Sequence, residues 1–343
     1  MRIINKIRYC LSLLYCSIKF SLSSFFKRSI PDKNVKIDAV YLWADFNDPS
    51  WLRTRERHRM SLLGYKNKFD YTKNSMNELK YSLRALEKNF KNLNKIHILT
   101  DGQIPNWLNL KNNSLKIVFH KDLFKDKKHL PSYNSPTMES YVHEIPGLTE
   151  QFLCLNDDYF VNAPFYADDF FFADGGIRPR LGRKIAEKGP LSIDFDLVTK
   201  VVRNTELLLD KTQKKELRLT PPHRPQPMTK TLMRECEKRY KEAFEMTRRC
   251  HFRSEFMYLL HNQLMPYMAC YQKKAAFVVN LFEKDMFYWS NDLGENLRRY
   301  DQFKKQKMFC IQEDRAIKLN EQSIVQFNNL MNKLFPKKSS FEK

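Results

Sequence analysis

Four short apolar runs, each halted by a carboxylate, constrain this chain more than any other feature. Val35 to Trp43 stops ahead of Asp45 and Asp48, and Lys95 to Thr100 stops at Asp101. Leu115 to Phe119 ends in His120, Lys121 and Asp122, and Gln151 to Leu155 runs into Asn156-Asp157-Asp158. Between the first two runs, Leu79, Leu83, Leu86 and Phe90 recur at helical spacing behind Ser75 and Glu78, a capping-box pair. Short apolar strands alternating with helices give βαβ units, so the expected fold is α/β with a mostly parallel sheet buried on both faces. Such sheets bind ligands at the carboxyl ends of their strands. One acidic strand end is ordinary turn chemistry, but four in succession suggest a site for a cation, a sugar or both.

Asn156-Asp157-Asp158 is the sharpest of these ends. A carboxylate there can hold Mg²⁺ or Mn²⁺ against a nucleotide diphosphate, because these hard cations take oxygen ligands and keep positions open for phosphate. Neighbouring strand residues face opposite sides, so one of the two aspartates is expected to face the site. The competing reading is an Asx-type turn with solvated carboxylates. With only 8 glycines and neither GxxxxGK[ST] nor GxGxxG, the chain lacks the usual phosphate-cradling loops. Its 60 Lys and Arg against 39 Asp and Glu, a surplus of 21, call for an anionic partner: nucleic acid, an acidic membrane surface or a phosphorylated substrate. The basic residues are spread along the chain, and no helix-turn-helix, zinc-finger or RNP motif appears, so nucleic acid is not the expected partner. None of the 7 cysteines has CxxC spacing, which excludes a zinc ribbon and suits a reducing, cytoplasmic setting.

The pattern divides the chain into residues 1–30, 35–175, 176–335 and a tail, 336–343. In the first, the uncharged stretch Tyr9 to Ile18 is too short to span a bilayer, which takes about 20 apolar residues. Ile3, Ile7, Leu11, Leu14, Ile18, Leu22 and Phe25 fall at helical spacing, with Arg2, Lys6, Arg8, Lys19, Lys27 and Arg28 around them. That describes an amphipathic helix on an anionic membrane surface; the alternative is a helix docked on the protein's own core or on a partner. The third segment opens with Arg178, Arg180, Arg183, Lys184 and Lys188, and a helical stretch (Leu197, Val201, Leu208) then carries Arg203. Four prolines between 221 and 227 brace His223, a group suited to proton transfer; a surface proline loop is the plainer reading. Met228 to about Leu264 reads as helices, with Met228, Leu232, Met233, Cys236, Tyr240 and Phe244 as core. Strands are expected at 276–279 and 308–311, and an amphipathic helix around Ile324, Phe327, Leu330 and Leu334 precedes a polar tail expected to fray.

These blocks resemble the Stealth proteins, which include bacterial capsular polysaccharide phosphotransferases and the catalytic subunit of animal N-acetylglucosamine-1-phosphotransferase. The first block is Ile37 to Trp51; the second runs from Asn77-Glu78-Leu79-Lys80-Tyr81-Ser82-Leu83-Arg84 through Asp101, His129 to Ser135 and Glu139 to Asp158. The third holds Pro222-His223-Arg224-Pro225 and Arg253. The resemblance implies a Rossmann-like nucleotide-sugar core and transfer of a sugar 1-phosphate from a UDP-sugar to a polysaccharide hydroxyl, with release of UMP. With the amphipathic first segment and the reduced cysteines, the expectation is a bacterial cytoplasmic enzyme working peripherally at the inner face of the plasma membrane. The family's functional residues fall on Glu139, Asp158 with Asp157 beside it, His223, Arg203 and Arg253, and the first block would set Trp43, Asp45 and Asp48 against the nucleotide. Mg²⁺ or Mn²⁺ would sit on Asp158 and Asp157. Leu42, Phe46 and Asn47 depart from the first block's usual Thr and Gly-Ser, Thr72 to Ser75 from an Arg-Asp pair, and Gln312-Glu313-Asp314 from an Asn-Asp. The alternative is a metal-dependent glycosyltransferase releasing UDP.

Overall fold

The computed structural model describes residues 2–22, 34–64, 75–279, 283–284, 286–314 and 317–343, with side chains of the first helix described at 9–19. Helix α1 (Arg2–Leu22) leads to strand β1 (Ile37–Leu42), α2 (Pro49–Leu63), α3 (Glu78–Asn89), β2 (Leu93–Thr100) and β3 (Leu115–Phe119). Two short helices, α4 (His120–Leu123) and α5 (Ser135–Glu139), precede β4 (Gln151–Asn156) and β5 (Tyr159–Val161). The basic half contributes β6 (Arg180–Leu181), α6 (Leu197–Thr212), β7 (Gln226–Thr229), α7 (Lys230–Arg239), α8 (Lys241–Arg248) and a π-helical turn, Leu260–Leu264. Last come α9 (Met265–Tyr271), β8 (Val278–Val279), β9 (Phe287–Trp289), α10 (Leu293–Phe303), β10 (Met308–Glu313) and α11 (Glu321–Leu334).

The central sheet has the order β3-β2-β1-β4-β7, parallel from β3 to β4 and closed by antiparallel β7. The fold is α/β with a mostly parallel sheet, as the strand pattern requires. Ala39, Val40, Tyr41, Ile96, Ile98, Leu99, Phe152 and Leu153 are all fully buried, each large apolar side chain worth about 1.5–3 kcal/mol. At the amino end of β1, buried Asp38 binds His97 at 3.0 Å, Asn94 Nδ2 at 2.8 Å and the Thr149 amide at 3.1 Å. A second sheet, β5-β10-β9, packs with α10 and α11 around Phe160, Trp289, Phe309 and Phe327. Asn156-Asp157-Asp158 is therefore the turn at which the chain passes from one sheet to the other.

Several elements differ from expectation. Met228 belongs to β7, not to a helix, and pairs with Phe152. Pro227 has no N–H to donate, which suits an edge strand bonded on one side only. Ser75 does not cap α3: Asn77 does, in the left-handed conformation at φ 72°, a region open to asparagine, while Glu78 turns back to the Met76 amide at 2.7 Å. The C-terminal residues do not fray. Phe341 is buried, and Glu342 accepts from Arg84 Nε and Nη2, both at 2.7 Å, so one aromatic and one ion pair hold a tail that composition reads as polar.

Helix α1 docks on the protein along one face, as the alternative reading expects, and leaves another face exposed. Leu13, Cys16 and Ser17 pack on the protein, and Lys19 pairs with Glu216. Leu11, Leu14, Tyr15 and Ile18 lie on the opposite side, 50–61% exposed. Phe25, Lys27, Arg28 and Thr72 to Asn74, and the side chains of Arg2, Ile3, Lys6, Ile7, Arg8 and Leu22, lie outside the described residues. Among those described, no helix is long and apolar enough to cross a membrane.

Candidate active site

The parallel register brings the carboxyl ends of β1 to β4 to one edge of the sheet, and antiparallel β7 starts at that same edge because Gln226 pairs with Cys154. The proline-braced loop just before Gln226 therefore delivers His223 beside the turn after β4. Half-buried His223 stands edge-on to the Tyr159 ring, their centroids 6.4 Å apart. Tyr159 also borders Asn156, whose Nδ2 is 3.3 Å from the phenol oxygen. Burial, then the charge of Asp158 and further on that of Glu139, push the Tyr159 phenol well above its ordinary range. Tyr159 is thus the ring around which Glu139, Asp158 and His223 gather, and sequence reasoning passed over it because an aromatic after a turn reads as core.

The two aspartates diverge because they form a turn and not a strand. Asp157 is buried near the Tyr41 phenol, which its charge helps hold up after burial. Asp158 is 2% exposed; its backbone oxygen accepts from the Ile311 amide at 3.1 Å and its Oδ2 from Gln312 Nε2 at 3.0 Å. Its Oδ1 is buried with no hydrogen bond. A buried carboxylate oxygen left unmatched costs free energy, and a hard cation would satisfy it. Among the described residues no group of three or more His, Cys, Asp or Glu side chains converges on one point. The donor set thus fits an ion that arrives with phosphate oxygens and takes one or two carboxylates from the protein, as Mg²⁺ does at phosphate sites. Gln312, which sequence comparison left without a role, holds the other oxygen of that carboxylate.

Glu139, at the end of α5, is 6% exposed, and its Oε2 lies 2.6 Å from Nδ1 of buried His261 in the π-helical turn. From the same turn, Gln263 Nε2 donates to Glu206 Oε1 of α6 at 2.8 Å. Arg203 sits one helical turn before Glu206. It is 4% exposed, its Nε donates to Gly189 O at 2.6 Å, and its Nη1 lies 3.8 Å from Asp210 without a hydrogen bond. Half-buried Arg253 follows a segment pinned to the start of α5: Thr137 Oγ1 donates to Cys250 O at 2.9 Å and the Tyr133 amide to His251 O at 2.8 Å. Arg203 is thus placed by α6, and Arg253 by the segment pinned to α5.

The first block lies at the ends of β1 and β2. The Trp43 amide continues the ladder to Leu99 O at 3.0 Å. Gln103 clamps the loop, accepting from the Asp45 amide at 2.8 Å and donating to Asp48 Oδ2 at 3.2 Å. Asp48 is the N-cap of α2; the Ser50 hydroxyl, Gln103 and the Trp51 amide hold its carboxyl down to about 2. Where β3 passes into α4, His120 is buried, both ring nitrogens lack hydrogen bonds and Nδ1 is 3.8 Å from Asp101; burial drops its pKa to about 4.

Residues 72–178 match the family model for Stealth protein CR2, conserved region 2. By this region the chain belongs to the Stealth proteins. The Stealth region spans α3 to β5 and contains Glu139, Asp157 and Asp158, whereas His223, Arg203 and Arg253 lie beyond it. An exopolysaccharide phosphotransferase of Streptomyces coelicolor is 35% identical over 253 residues, 71% of this chain and 42% of that protein. The capsular polysaccharide phosphotransferase SacB of Neisseria meningitidis serogroup A is 29% identical over 323 residues, 91% of this chain and 58% of that protein. The chain thus spans about half the length of these curated relatives. Among solved structures, the glycosyltransferase GlyE of Streptococcus pneumoniae TIGR4 matches with a TM-score of 0.37 at 11% identity, covering 90% of this chain and 66% of that one, a likeness too low to bear on fold or function.

Proposed function

We propose that this Stealth protein transfers a sugar 1-phosphate from a UDP-sugar, of the UDP-HexNAc class, to a hydroxyl of a growing capsular or exopolysaccharide, releasing UMP. The observation that carries this reading is the gathering of Glu139, Asp158 and His223 around Tyr159, with Asp158 Oδ1 buried and without a hydrogen bond. In the reaction the acceptor oxygen bonds to the β-phosphorus, the bond from that phosphorus to the bridging oxygen breaks, and UMP leaves with the oxygen. Mg²⁺ or Mn²⁺, held by Asp158 with Asp157 beside it, would supply charge compensation for the pyrophosphate. Arg203 and Arg253 add to that compensation, because a guanidinium pairs two phosphate oxygens at once. Arg203 Nη1 is a buried donor still open to such a contact. His223 and Glu139 serve the removal of the acceptor proton and the orientation of the sugar. Trp43, Asp45 and Asp48 shape the loop that borders the nucleotide.

The exposed stripe of α1, Leu11, Leu14, Tyr15 and Ile18, gives the enzyme a peripheral seat on an anionic membrane, at the inner face of the plasma membrane. Exposed cations frame it: Arg183 and Lys184 follow the strand whose neighbourhood Tyr9 touches, and Lys214 and Lys215 precede Glu216, the partner of Lys19. The test of the reaction is its nucleotide product. Purified protein, UDP-sugars, Mg²⁺ and acceptor glycan are incubated, and UMP is separated from UDP by anion exchange. Acceptor-dependent UMP is the expected result; UDP would mean glycosyl transfer and sink the reading.

A further inference from the structure

Glu139 does not face substrate alone, because His261 is on its carboxylate. Nδ1 of His261 is 2.6 Å from Glu139 Oε2, an ion-pair contact outside hydrogen-bond geometry, and the imidazole is 4% exposed. A carboxylate held against one ring nitrogen stabilises the imidazolium formed when the imidazole takes a proton. The pair is braced from behind: α6 holds the π-helical turn through Gln263 and Glu206, and Leu259 N donates to Thr205 Oγ1 at 3.0 Å. The lone histidine of an apolar helical run reads as core in sequence, so nothing there joins it to Glu139.

We infer that His261 is the general base of the reaction proposed above and that Glu139 is its positioning residue. The inference rests on that proposed reaction. As the acceptor oxygen bonds to the β-phosphorus, its proton passes to His261 Nε2; UMP departs with the bridging oxygen, and the proton is returned to solvent. His223 is left to orient the sugar. The titratable groups around the pair are Tyr159 and Cys154, both held protonated by burial, with Asp158 and His223 on the β4–β5 side and Glu206 on α6.

His261→Asn tests this, because asparagine keeps an N–H near the Nδ1 position for Glu139 and removes Nε2. The expected result is a fall in kcat of about 10²- to 10⁴-fold, KM for the UDP-sugar within about threefold, and loss of the acid limb of the pH–rate profile. Retained turnover, or an acid limb that survives in the variant, would overturn the assignment and leave His261 as scaffolding. Should His261→Asn melt below the assay temperature, Glu139→Gln carries the test. Without the carboxylate charge the imidazolium is less stable, so the acid limb should move to lower pH, and an unmoved limb refutes the pairing. The wild-type product judges the reaction separately: UDP in place of UMP overturns the proposed transfer, while the variants still judge the dyad against the product formed.

Discussion

The docked C-terminus makes a prediction that can be worked from its contacts. Arg84 and Glu342 meet through two hydrogen bonds of 2.7 Å, with side chains 4% and 2% exposed. Ser339 adds its amide at 2.9 Å, and Arg84 also donates to Asn332 at 2.9 Å and Phe335 O at 3.0 Å. Replacing one member of a buried pair strands the other, which costs about 3–5 kcal/mol. At roughly 2 cal/mol/K per residue, the entropy of unfolding of a chain this size is about 0.7 kcal/mol/K. Arg84→Met should therefore lower Tm by about 4–7 °C, and Glu342→Gln by a similar amount. The double variant should lose less than the sum, with a coupling of about 1–3 kcal/mol. The acid side gives an independent sign. Burial pushes the Glu342 carboxyl up, but Arg84 and Ser339 together outweigh it and hold the group below its usual range. Its stabilisation is present above the unfolded-state value near 4.3 and is lost as pH falls through the lower folded value. The assay is thermal melting of the wild type and the three variants from pH 3 to 8. Coupling below about 0.5 kcal/mol, or a wild-type acid limb no steeper than that of Glu342→Gln, would refute the reasoning.

Asp158→Asn keeps an acceptor for Gln312 and should fold, yet lower UMP release at saturating donor by about 10²-fold or more; a loss under tenfold counts against its proposed role. Asp38→Ala strands His97, Asn94 and the Thr149 amide and should cost about 3–5 kcal/mol in denaturant unfolding. Burial raises the Asp38 carboxyl and those partners outweigh it, so its contribution is present above about pH 4 and fades as acid reaches the lower folded value; in Asp38→Asn the acid limb should flatten. Leu14→Glu with Ile18→Glu, both on exposed positions, should cut sedimentation with anionic vesicles at least tenfold while leaving Tm unchanged, and equal sedimentation would remove α1 as the seat.

The central sheet was legible because its strands are uninterrupted apolar runs with acids at their ends, and a buried parallel sheet leaves that trace. β7 was hidden: four residues with Pro227 inside carry no strand pattern, and their pairing with β4 is a long-range fact. Asn77 capped α3 through its backbone conformation, which the Ser75 and Glu78 pattern does not encode. The tail looked polar because one phenylalanine and one glutamate do its docking. At the site, Glu139 was named from the resemblance, and Asp158 and His223 from both the resemblance and their own chemistry. Gln312 and His261 were missed for a shared reason. An amide and a single histidine mean nothing until a carboxylate far along the chain is brought to them.

Asp158 lies within residues 72–178, yet the amide and side chain that hold it, Ile311 and Gln312, are made much later. A ribosome that has just released the Stealth region has produced the carboxylate without its clamp. At about 5–20 residues per second, another 134 residues (312 minus 178) take roughly 7–27 s to appear. Through that interval the nascent chain carries the acidic turn but no ordered Asp158. Premature termination between residue 178 and β10 yields a polypeptide that contains the entire recognisable region and lacks the fixed carboxylate.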